Sequence, residues 1–144
     1  MQSETQVSRF AQPAGQVIPD SKKRLWTGRI FSVLAVLFLV FDSVGHLTMP
    51  APVVEAFVRL GYPVTLGLWI GILGLACTVL YAIPRTAILG AILLTGYLGG
   101  ATAANVRVSD PLFETLFPVI FGVVIWAGIL LRDDVLRTLV PLRN

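Results

Sequence analysis

Long apolar runs separated by short polar breaks make up most of this chain. Four runs stand out: Ile30 to Leu47, Tyr62 to Ile83, Thr86 to Asn105 and Pro111 to Leu131. At about 1.5 Å of rise per residue each is long enough to cross a hydrocarbon core about 30 Å thick. The pattern therefore predicts an all-α membrane protein built as a four-transmembrane-helix bundle. Residues 1 to about 21 are polar, rich in Gln, Ser, Thr, Pro and Gly, and without a period. Residues 1–24 are accordingly expected to form a disordered cytoplasmic tail, and residues 25–144 one membrane domain.

The breaks between the runs carry their own signals. Pro50 and Pro52 open, and Gly61 closes, a segment in which Val53, Phe57 and Leu60 share one face while Glu55 and Arg59 form an i,i+4 pair on another. This predicts a short amphipathic helix on the outer surface between the first two spans, placed to act as a lid. Pro84 disfavours helix at Ile83, so spans two and three are expected to be antiparallel neighbours joined by a tight turn, with Tyr81 near the inner interface. Ser109-Asp110-Pro111 is expected to cap the fourth span, and Pro118 to kink it. Small residues line two spans: Gly67, Gly71, Gly74 and Thr78 in the second, and two adjacent series in the third, Gly96, Gly100, Ala104 and Thr95, Gly99, Ala103. Such stripes allow close helix approach where lipid supplies no hydrophobic drive.

Composition agrees with this class. With 56% hydrophobic and 13% charged residues over 144 positions, a soluble domain is excluded. The net charge of +3 then bears on topology rather than on nucleic acid. Nine cations (Arg9, Lys22, Lys23, Arg24, Arg29, Arg85, Arg132, Arg137 and Arg143) fall on one side of the predicted bundle and two, Arg59 and Arg107, on the other. The positive-inside rule puts both termini in the cytoplasm. The basic segment before the first run fits an uncleaved signal anchor, because no small-x-small cleavage site follows that run. The single cysteine, Cys77, excludes an internal disulfide and a Cys-x-x-Cys relay.

The stretch Tyr81-Ala-Ile-Pro-Arg-Thr-Ala-Ile-Leu-Gly-Ala-Ile-Leu-Leu-Thr-Gly-Tyr-Leu-Gly-Gly-Ala-Thr-Ala-Ala104, with Arg107 and Asp110-Pro111 after it, resembles the DoxX-like family of small four-helix membrane proteins. The resemblance extends over roughly residues 27–143. It implies a four-span bundle in a bacterial inner membrane. The family takes its name from the membrane subunit of a thiosulfate:quinone oxidoreductase, and it supplies no catalytic motif to carry onto these residues.

Candidate chemistry gathers at the predicted outer end. Asp42, Ser43, His46, Asn105, Arg107, Asp110 and Glu114 come from three spans and converge on the outer third of the bundle. Asp42 and His46 are four apart and stack on one helix face, and ionisable groups inside a membrane face the bundle interior with a partner. Either Asp42 pairs with His46 or Arg107 in a structural network, or these groups rim a small-molecule site. On the second view Asp42, His46, Tyr97, Asn105, Arg107 and Glu114 are the ligand-binding candidates, with the Tyr97 hydroxyl suited to a quinone carbonyl or to an interhelical hydrogen bond. Asp42 and His46 are also the candidates for acid/base catalysis, histidine being the side chain suited to proton transfer near neutral pH.

Asp42, His46 and Glu114 lack the nitrogen and sulfur ligands usual for zinc, and one histidine offers at most one axial ligand to a haem. No metal is expected and no cofactor is required, although a quinone fits the apolar surroundings. Three functions follow: a quinone- or lipid-like ligand binder serving a redox system, a scaffold assembling with a membrane partner or with itself, or an acid/base enzyme of isomerase type. The expected partners are the bilayer, an apolar small molecule or quinone, and a membrane protein or second copy, not nucleic acid.

Overall fold

The computed structural model describes residues 19–133 and Leu136. Among these residues five helices follow one another: α1 (Pro19–Thr48), α2 (Ala51–Arg59), α3 (Leu66–Ala82), α4 (Ala87–Arg107) and α5 (Leu112–Arg132). The tail expected over residues 1–24 lies outside the described residues as far as residue 18, and from Pro19 onward it is the start of α1. Among the described residues α1, α4 and α5 are long and apolar enough to cross a membrane, whereas α3 is apolar but only 17 residues long. Tyr62 to Thr65, expected inside the second span, precede α3: Tyr62 and Pro63 are irregular, Val64 and Thr65 form a turn, Pro63 has no amide hydrogen to give, and Leu66 N–Pro63 O and Gly67 N–Val64 O are three-residue bonds.

The helix ends obey local chemistry. Met49, with φ of 48°, terminates α1 in the left-handed region immediately before Pro50. Pro52 lies in the first turn of α2, and Gly61, with φ of 69°, follows that helix where a side chain would be strained. Ile83 is extended ahead of Pro84, and the Thr86 hydroxyl donates to the Leu80 carbonyl at 2.7 Å, satisfying one of the orphan acceptors at the end of α3.

Helices α1, α3, α4 and α5 pack in a ring, α1 touching α3 and α5, and α4 touching the same two. The glycine stripe of α3 does what the sequence suggests: a Cβ at Gly71 would come within 3.0 Å of the Leu47 side chain and the Ser43 carbonyl, so bare backbone lets α3 lie against α1. The stripe on α4 does not. A Cβ at Gly96, Gly99 or Gly100 would meet nothing within 4 Å among the described residues, and only Ala104 of that series is buried. Close approach of α4 to α3 occurs instead at Gly90, where a Cβ would collide with the Tyr81 backbone. Tyr81, expected at an interface, is fully buried and bonded into the bundle, its hydroxyl 3.1 Å from Ser32 Oγ and 3.1 Å from the Ile125 carbonyl oxygen.

Around this core the surface is apolar. Phe41, Leu37, Trp69, Leu112, Phe113 and Val123 are all largely exposed, an outside suited to lipid rather than water. Apolar helices and an apolar exterior make this a multi-pass membrane protein.

Candidate functional site

The end of the bundle bearing α2 holds the polar cluster. Asp42 and His46 lie one turn apart on α1, and His46 Nδ1 sits 2.9 Å from the Asp42 main-chain oxygen and 3.6 Å from Asp42 Oδ2. A carbonyl oxygen only accepts, so this contact assigns a ring proton to Nδ1 and leaves Nε2 as the other polar atom of the ring. From across the ring, the Tyr97 hydroxyl of α4 donates to Asp42 Oδ2 at 3.2 Å. Gly74 makes the seat for that phenol. A Cβ there would lie 3.2 Å from the Tyr97 hydroxyl oxygen and 2.9 Å from Ser43 Oγ.

Asp42, His46 and Tyr97 line a cavity of about 100 Å³, enough for a few water molecules or a small ring. Its other walls are aromatic. Phe38 stacks on Phe121 with centroids 3.9 Å apart, and Phe117 meets the two at 5.3 and 5.0 Å. The four-residue spacing of Phe113, Phe117 and Phe121 announces a phenylalanine face on α5 that the sequence reading passed over. Leu98 and Pro118 also belong to the wall of a larger apolar groove of about 480 Å³ between α4 and α5, so the small polar cavity and the groove share a partition.

Helix α2 covers this end. Phe57 is buried with its ring edge-on to His46 at 5.7 Å, and two ties hold the segment down. Arg59 Nε lies 3.2 Å from Asp110 Oδ1, and the Arg107 guanidinium donates to the Leu60 carbonyl while lying 5.6 Å over the Tyr62 ring. Three expectations change here. Arg59 turns to Asp110 rather than to Glu55; Asp110 therefore makes no side-chain cap for α5, whose N-cap is Pro111; and Arg107 is engaged with the α2 segment instead of with Asp42.

The remaining candidates lie apart from the cavity. Pro118 has no amide hydrogen, which frees the Glu114 carbonyl four residues earlier, and Asn105 Nδ2 donates to that carbonyl at 2.8 Å. Asn105 thus repairs the backbone defect left by the proline. Its sequence signal is the i−4 position itself, which must find a donor on a neighbouring helix. Glu114 Oε2 and Asp110 Oδ2 are shielded from solvent with no hydrogen-bond partner among the described residues. Of the six ligand-binding candidates the fold brings together Asp42, His46 and Tyr97, and gives Asn105, Arg107 and Glu114 other surroundings.

No curated protein and no solved structure matches the chain. The profile of the DoxX-like family matches residues 30–128, from the apolar start of α1 past the phenylalanine face of α5, and the chain belongs to that family.

Proposed function

We propose that this protein holds a quinone- or lipid-like molecule at the α2 end, as an auxiliary subunit of a redox system in a bacterial inner membrane. What carries this reading is the cavity at Asp42, His46 and Tyr97, because it joins unspent polar capacity to an aromatic wall and borders an apolar groove through Leu98 and Pro118. A polar ring would meet the imidazole and carboxyl groups, and an apolar chain would follow the groove. Helix α3 acts as a fourth span in this proposal; its 17 residues rise about 25 Å, and apolar Val64 and Ile83 extend it at either side. Both termini lie in the cytoplasm, in keeping with Lys22, Lys23, Arg24, Arg29, Arg85 and Arg132 at the end opposite α2.

Purification from native membrane should retain an enriched quinone or lipid identifiable by mass spectrometry, and His46→Ala should lower its occupancy. Repeated preparations with no enriched molecule would refute the proposal.

The open glycine face of α4 favours a second reading, a scaffold that meets another copy or another membrane protein there. Crosslinking between cysteines placed at Gly96 or Gly100 tests it, and a monomer in both membrane and mild detergent would rule it out.

A further inference from the structure

A second candidate site lies at the opposite end of the bundle, where α1 and α5 cross. Gly28 permits the crossing: a Cβ there would come 2.9 Å from Leu131 Cβ and 3.0 Å from the Gly128 carbonyl oxygen. The close approach leaves Arg29 of α1 and Arg132 of α5 lining the same two pockets. One, about 330 Å³, is walled by Leu25, Pro84, Ala87, Ile88 and Ile129. The other, about 320 Å³, runs along Val33, Val36 and Leu37 of α1 against Tyr81 and Ala82 of α3.

Two cations beside shared cavities call for an anion. The Arg132 guanidinium lies 5.5 Å over the Tyr81 ring, and its Nη2 is shielded from solvent with no hydrogen-bond partner among the described residues. A charged donor shielded from water without an acceptor is costly to leave unmet. Asp133 also lines the first pocket, and its Oδ1 accepts from the Leu136 amide at 3.1 Å. Arg29 itself is exposed, its guanidinium 6.0 Å from the ring of exposed Trp26, the pairing of cation and indole found at headgroup depth. Apart from the two arginines, Asp133, Ser32 and Tyr81, the pocket walls are aliphatic, and Val33, Leu37 and Ile88 continue onto the exposed apolar surface. A small hydrated anion would leave those walls bare.

We infer that Arg29 and Arg132 bind the phosphate of an anionic phospholipid whose acyl chains lie in the adjoining apolar pockets. The guanidinium pair offers several donors to phosphate oxygens, and the Arg132 Nη2 without an acceptor is among them. Basic pockets between membrane helices recognise anionic headgroups in this way. The site is separate from the cavity under α2 and does not depend on any ligand there.

The test uses the full chain in mild detergent, delipidated and then titrated with phosphatidylglycerol or phosphatidylcholine of the same acyl chains, with bound lipids counted by native mass spectrometry. Phosphatidylglycerol should bind in preference. Arg29→Gln and Arg132→Gln should each weaken it roughly fivefold. Arg85→Gln, which removes a cation from the nearby α3–α4 turn that lines neither pocket, should leave it unchanged. Arg29 is exposed, so its substitution reports on binding even if Arg132→Gln fails to fold. Equal binding of phosphatidylcholine would overturn the inference, and so would an Arg85→Gln effect as large as that of Arg29→Gln. Saturation by inorganic phosphate alone at the same affinity would overturn it too.

Discussion

Tyr81 and Tyr97 both send a hydroxyl from α3 or α4 into the bundle toward α1, yet they do different things. Tyr81 is completely buried; its hydroxyl meets Ser32 Oγ and the Ile125 carbonyl oxygen, and Gly90 and Gly128 bring backbone against it on two sides. The hydroxyl itself has partners on both sides, although the ring borders the pocket at Arg29 and Arg132. Tyr97 meets the Asp42 carboxyl group, whose side chain is 32% exposed, and beside the pair lie an imidazole and a cavity. A fully satisfied polar cluster rigidifies a membrane bundle, whereas one with spare donors and acceptors next to open volume has capacity for a ligand.

The sharpest way to break this comparison is through the glycines. At Gly90 even a methyl group would overlap the Tyr81 backbone, which cannot swing aside as a side chain tip could. Gly90→Ala should therefore cost about 3 kcal/mol, the upper range for overpacking, read as a large drop in thermal unfolding temperature in detergent. Gly99→Ala, on the open face of α4, should leave that temperature unchanged or slightly raised. Equal losses at the two positions would mean that the Tyr81 region is no more tightly fitted than the α4 surface.

The tyrosines themselves give the next largest effect. Tyr81→Phe removes a hydroxyl bonded to Ser32 and Ile125 and should destabilise by about 1 kcal/mol without altering any molecule retained at the α2 end. Tyr97→Phe should do the reverse, changing unfolding little while lowering ligand occupancy measured by mass spectrometry. The comparison fails if both variants move the same observable.

Much of this architecture is legible in the sequence, and the part that is not has a single physical origin. Helix ends at Pro50, Gly61, Pro84 and Pro111, and the α3 glycines against α1, follow from local rules about amide hydrogens, positive φ and small side chains. Helical periodicity tells which residues share a face. It does not tell which neighbour that face meets. The stripes of α3 and α4 look alike as sequence, but one is filled by α1 and the other is open. Asp42 and Tyr97 are 55 positions apart, and Arg59 closes α2 while Asp110 lies between α4 and α5, so neither pair has a spacing to betray it. The clustering of Asp42 with His46 was readable because both lie on one helix, one turn apart.

The smallest expected effect on stability is also the one that separates the two tyrosines most finely. Asp42→Asn keeps an oxygen able to accept from the Tyr97 hydroxyl and removes an ionisable group from a site nearly two turns inside the end of α1. If the cluster were a bolt like the one at Tyr81, disturbing its acceptor would cost about 1 kcal/mol, as Tyr81→Phe does. An ionisable group inside a membrane is instead expensive to keep, so exchanging it for a neutral amide should shift unfolding by no more than about 0.5 kcal/mol, with stabilisation the expected sign. Ligand occupancy should fall at the same time, because the amide presents a donor where the carboxyl group presents its second oxygen. A loss near 1 kcal/mol with occupancy unchanged would place Tyr97 in the same class as Tyr81 and leave the cavity beside it without a role.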